Sequence, residues 1–199
     1  MSDLEELFAE AVSAIGGVLK PHGFRKKRFV WTRVAEGVVH EVDVQRSHGN
    51  SAESVRFYVN ASAYVAEFAR VIGRRVPENL ASADAQYSTR FESVSDWPSD
   101  RVDVERDAAA FGSALPAAIE QVVAHLDGIT DDASLARTLF ERGFFLDDDL
   151  FAWFCATGRT DDARAQFAAA RGRFGAEDRW PRLAARFTET AATYGVPLP

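Results

Sequence analysis

The chain has 199 residues, 47% hydrophobic and 12% aromatic, which is enough to bury a core and excludes a wholly disordered chain. Its one cysteine, Cys155, excludes an internal disulfide and a multi-cysteine metal site. A formal net charge of -7 excludes a broadly basic nucleic-acid binder but leaves room for a local basic patch.

The first predicted element is a helix from Ser2 to Lys20. Leu4, Leu7, Phe8, Ala11, Ile15 and Val18 recur at helical spacing. Ser2 is placed to cap it, with Asp3, Glu5 and Glu6 at the positive end of its dipole. Lys20-Pro21-His22-Gly23 is a stop signal. The period then changes to alternation. Strands are predicted over 29–35, 38–46 and 53–63, with a tight turn at Glu36-Gly37 and a loop over 47–51. Residues 64–71 fit a short helix or a continued edge, and 86–94 fit a fourth strand. From Val102 onward the chain reads as helical. Pro116 marks a kink or the first turn of a second helix. Further helices fit 132–142, 147–157, 160–171 and 178–194.

The expectation is an α+β fold in which an N-terminal helix packs on a four-stranded antiparallel sheet, with a C-terminal helical extension. The first domain is expected over residues 1–127 and the extension over 128–199, the latter either a small subdomain or packed on the same core. The acidic N-terminus and the absence of a long apolar run predict neither a secretory leader nor a membrane span, and the lone cysteine fits the cytoplasm.

Several short pieces occur in a telling order. Leu19-Lys20-Pro21-His22-Gly23-Phe24-Arg25-Lys26-Lys27 precedes an aromatic strand with Phe29 and Trp31. Val42-Asp43-Val44-Gln45-Arg46-Ser47 and Phe57-Tyr58-Val59-Asn60 follow, then Arg74 to Pro77 and Gln86 to Arg90. Over about residues 4–127 this order resembles the bacterial family catalogued as domain of unknown function 4304. The resemblance implies an α+β domain and supplies no activity or cofactor. In size and style such proteins resemble small immunity proteins.

Three surfaces carry chemistry. On the polar sheet face, Glu41, Asp43, Gln45, Arg56, Tyr58, Asn60 and Arg90 are expected to converge. Such an array either binds a polar ligand, with the arginines for an anion and the carboxylates for an amine, or is a solvated face of cross-strand pairs. The Arg25-Lys26-Lys27-Arg28 run, expected in a loop, fits single-stranded nucleic acid, an acidic partner, or pairing with Glu5 and Glu6. In the C-terminal part, Phe140, Phe144, Phe145, Phe151, Trp153, Phe154, Phe167, Phe174, Trp180 and Phe187 are either core or, where exposed, an interface.

The histidines do not converge: His22, His48 and His125 are scattered, and His40 falls on the apolar face away from Glu41 and Asp43. No nucleophile elbow or phosphate loop occurs, so no catalytic residue, metal or cofactor is assigned. The leading functional expectation is a non-enzymatic, immunity-like protein that binds another protein. The alternatives are a small-ligand binder or hydrolase on the polar sheet face, and a single-stranded nucleic-acid binder at Arg25–Arg28.

Overall fold

The computed structural model describes residues 3–199, so the expected cap at Ser2 lies outside the described residues. The chain divides into two compact units. One runs up to Val65 and resumes over Pro77–Thr130; the other comprises Ala66–Val76 and Asp131–Pro199.

The first unit is a helix-on-sheet layer. Helix α1 (Asp3–Leu19) buries Phe8, Ala11, Val12, Ile15 and Leu19. Each of its large apolar side chains contributes about 1.5–3 kcal/mol on burial. Strands β1 (Arg25–Lys27), β2 (Val30–Ala35), β3 (Val38–Arg46), β4 (Arg56–Val65) and β5 (Tyr87–Arg90) form an antiparallel sheet in chain order. A two-residue strand, β6 (Val102–Asp103), shares the outer edge of β4 with β5, so the sheet has six strands rather than the four expected. Helix α3 (Ala114–Asp127) packs against α1 and β4.

Alternation sets the two faces. Trp31, His40, Val42, Val44, Phe57, Val59, Ala61, Ala63 and Tyr87 are buried on the helix-covered side. The β2–β3 turn is Glu36-Gly37, with φ 48° and 86°. Two consecutive left-handed residues match the twist of a two-residue hairpin, which is why glycine serves there.

The strand expected over 53–63 runs Arg56–Val65, and three other segments depart further from the sequence expectation. The basic run is not a loop: Arg25–Lys27 is a strand paired with β2, and Arg28 begins the turn at φ 59°. It lacks the apolar alternation that marks a strand, as a charged edge strand does. Residues 102–113 are not α-helical: they hold β6 and a 3-10 turn, Ala108–Ala110. Asp107 accepts from the Asp103 backbone N–H at 2.8 Å, closing a turn, and α3 starts only at Ala114 with Pro116 in its first turn. The segment expected as one strand over 86–94 is β5 followed by a 3-10 turn, Phe91–Ser93.

The second unit is helical: α2 (Ala66–Val71), α4 (Asp132–Glu141), α5 (Asp148–Ala156), α6 (Thr160–Phe174) and α7 (Trp180–Thr193). Asp131 and Ser134 form a reciprocal capping box at α4, and the Asp147 carboxylate accepts from the Leu150 N–H at 2.7 Å at α5. Asp147-Asp148-Asp149 is therefore a helix start. The C-terminal aromatics pack on one another: Phe151 meets Phe187 edge-on at 4.7 Å, and Phe167 meets Phe187 and Trp180. Of the ten, Phe151, Trp153, Phe154, Phe167 and Phe187 are buried, Phe140, Phe145, Phe174 and Trp180 are half-buried, and Phe144 is exposed.

Candidate functional site

The polar sheet face is assembled by register. Asp43 lies opposite Asn60, and Asn60 opposite Arg90, so the three form one row across β3, β4 and β5. Gln45 lies opposite Tyr58 in the next row. The Asn60 amide donates to Asp43 Oδ1 at 3.0 Å and to Gln45 Oε1 at 3.4 Å. The Arg90 guanidinium stacks 4.0 Å from the centre of the Tyr58 ring. Arg56 stands apart, with its Nε donating to Asp103 at 2.9 Å. Glu41 lies opposite Ser62 and accepts from Thr32 at 3.4 Å. Beside Glu41, the Leu80–Ser82 turn packs on β2 and β3, and Ala81, Ala83 and Ala85 close a cavity of about 50 Å³. Burial raises both the Glu41 and the Asp43 carboxyls above their ordinary range. The neighbouring Asp43 charge adds to the shift at Glu41, while Asn60 and Arg90 oppose it at Asp43.

The basic run builds a different feature. Lys26 pairs with Trp31 across β1–β2 and sits 4.9 Å from the centre of its ring. Trp31 is 2% exposed. Between this strand and α1 runs an open groove of about 820 Å³, lined by Ser13, Gly16, Gly17, Lys20, Arg25 and Lys26 among others. It exists because α1 carries small residues there. A Cβ on Gly16 would stand 3.3 Å from the Trp31 indole nitrogen, so glycine lets the ring approach the helix.

All three lysines of the chain, Lys20, Lys26 and Lys27, belong to this strip. Among the described residues, these lysines and Arg25 and Arg28 make no ion pair, whereas Arg33, Arg46, Arg56, Arg74 and Arg106 each hold a carboxylate. Glu5, one expected partner of the basic run, is instead held by Arg46, which pulls its carboxyl below the ordinary range. The run Arg25–Arg28 was readable in the sequence; the groove beside it was not.

The remaining candidates are engaged in structure. His40 is 6% exposed; Nε2 faces the Ile129 carbonyl at 2.9 Å and Nδ1 faces Arg33 at 2.8 Å. His125 hydrogen-bonds the Tyr87 hydroxyl at 2.9 Å. Cys155 is buried, and desolvation pushes its thiol up to about 11. Among the described residues, no three His, Cys, Asp or Glu side chains are grouped to hold a metal ion, and no helix is long and apolar enough to cross a membrane.

Residues 15–127 match the family model described as domain of unknown function (DUF4304). No curated protein and no solved structure matches the chain.

Proposed function

The chain belongs to the DUF4304 family, and we propose that this member is a non-enzymatic binding protein that docks an acidic segment of a partner protein on β1 and the groove beside it. The observation that carries this reading is the unpaired basic run Arg25, Lys26, Lys27 and Arg28 along the β1 edge of the sheet, with Lys20 just past α1 across the groove, on a chain with net charge -7. An edge strand offers unpaired backbone N–H and C=O groups, so an extended segment adds to it as a further strand. The basic side chains select an acidic strand and repel a second copy of β1. This is a mode suited to an immunity-like protein that neutralises another protein by binding it. A soluble protein of the cytoplasm fits the reading, with the buried Cys155 kept reduced.

Single-stranded nucleic acid is the weaker occupant. It needs aromatic faces for base stacking. Phe24 and Trp31 are buried, and Phe29, though 41% exposed, is engaged edge-on with Phe8 at 5.5 Å. The test titrates the protein with an extended Glu/Asp-rich peptide and, separately, with oligo-dT. The peptide is expected to bind at low salt, to weaken as salt rises, and to lose roughly tenfold or more in affinity with K26E/K27E. Preference for oligo-dT over the peptide would overturn the reading.

A further inference from the structure

We propose that the polar sheet face is a second, separate binding site, for a small zwitterion of amino-acid to dipeptide size, with its carboxylate on Arg90 and its ammonium on Asp43 and Glu41.

The charges are held apart. Asp43 and Arg90 occupy the two ends of one row, with the neutral Asn60 between them. Neighbouring strands lie ~4.8 Å apart, so the two backbones are separated by about 10 Å. Neither Glu41, Asp43 nor Arg90 makes an ion pair among the described residues, although arginine–carboxylate pairs are plentiful elsewhere on this chain. Each is nonetheless half-buried. A desolvated charge without a counter-charge is unfavourable, and folds usually remove it. Here the fold retains three on one face without a direct ion pair, and Arg90 offsets the desolvation of Asp43 only in part. Burial holds the two carboxyls above their ordinary range, and the Nη1 of Arg90 is buried with no acceptor. A ligand that brings both missing charges relieves both ends at once.

The groups are also pre-set. Stacking on Tyr58 fixes the Arg90 guanidinium, and the Asn60 amide fixes Asp43 while leaving its second oxygen open to a ligand. A rigid guanidinium accepts a carboxylate with little loss of side-chain entropy. The segment carrying Ala81, Ala83 and Ala85 walls the face beside Glu41. Arg56, already held by Asp103, takes no part.

The experiment is an amide-resolved NMR titration of the full chain with alanine and alanyl-alanine. Butylamine and butyrate serve as single-charge controls. The expected result is shifts in the amides around Asp43, Asn60 and Arg90 with at least one zwitterion, and much weaker shifts with either control. Asp43→Asn and Arg90→Gln should each weaken binding roughly tenfold, as expected for a lost charge-assisted contact. Arg90→Lys, which keeps the charge, should weaken it less and guards against a folding defect at this position. K26E/K27E should leave zwitterion binding unchanged, which separates this site from the β1 groove. No shift with either zwitterion at millimolar concentration would overturn the proposal, as would equal binding of the single-charge controls or survival of binding in both charge-removing variants.

Discussion

Arg33 and His40 face each other across the β2–β3 hairpin, and the Arg33 Nη2 donates to His40 Nδ1 at 2.8 Å. Arginine has only donors, so Nδ1 must be unprotonated, and Nε2–H donates to the Ile129 carbonyl. The histidine is therefore neutral in the fold. Desolvation holds its pKa below the ordinary 6.5, and the Arg33 charge pushes the same way. Arg33 also holds Asp127 at the end of α3 and donates to the His22 carbonyl at 3.3 Å, so one pair ties the hairpin to both helix exits.

A pH dependence follows with a definite sign. Below 6.5 the unfolded chain binds a proton at His40 that the native fold resists. The His40 contribution is thus fully present above 6.5 and is lost as pH falls through the native value. Urea unfolding of the native chain and of His40→Gln between pH 5 and 7.5 should show the native chain losing the more stability on acidification. Equal slopes would contradict the assignment. His40→Ala should cost about 1–3 kcal/mol at neutral pH, because the Ile129 carbonyl loses its donor inside the core.

Glu41 and Asp43 carry the opposite sign. Their native pKa values lie above the ordinary 4.5 and 3.8, so their ionisation weakens the fold as pH rises through the native values. Glu41→Gln and Asp43→Asn should each raise the melting temperature at pH 7, and the gain should vanish below about pH 4, where the unfolded carboxyls are protonated too. Melting curves at the two pH values check this. A fall in melting temperature at pH 7 would contradict it.

The two glycines of α1 separate stability from docking. Nothing lies within 4 Å of a Cβ placed on Gly17, so Gly17→Ala should stabilise the helix by roughly 0.5–1 kcal/mol. Gly16→Ala should gain less, since Trp31 must give way. A bulky side chain at position 17 points into open groove, so Gly17→Trp should keep the fold and block the acidic peptide. Circular dichroism and peptide titration on the same samples measure both.

Cys155 is expected to be inert. Its thiol, raised to about 11 by burial, leaves a negligible thiolate fraction at pH 8. Ellman's reagent should label it only after denaturation. Rapid labelling of the native protein would show that α5 opens.

What the sequence revealed tracks how strongly each segment repeats a pattern. Strand β3 alternates over nine residues, Val38 to Arg46, and its two faces were readable directly. The stripe in α1 and the acidic first turns of α5 and α6 were equally plain. Strand β1 was not, because Arg-Lys-Lys has no apolar period and is a strand only through its pairing with β2. Residues 102–113 misled because Ala108, Ala109 and Ala110 have high helix propensity, while Asp103 and Asp107 bond each other's backbone and hold a turn. The polar row Asp43–Asn60–Arg90 was half legible: alternation placed Asp43 and Asn60 on one face, but only register shows that Arg90 completes the row. The groove depends on the packing of α1 over β1 and β2, which no local period reports.

The most direct measurement of the central claim is the affinity of the native chain and of R25E/K26E/K27E for one extended Glu-rich peptide at low and at high salt. The native chain should bind at low salt and release the peptide as salt rises, with β1 amides protected from exchange in the complex. The variant, folded by circular dichroism, should not bind. Undiminished binding by the variant, or binding with no change at the β1 amides, would contradict the account.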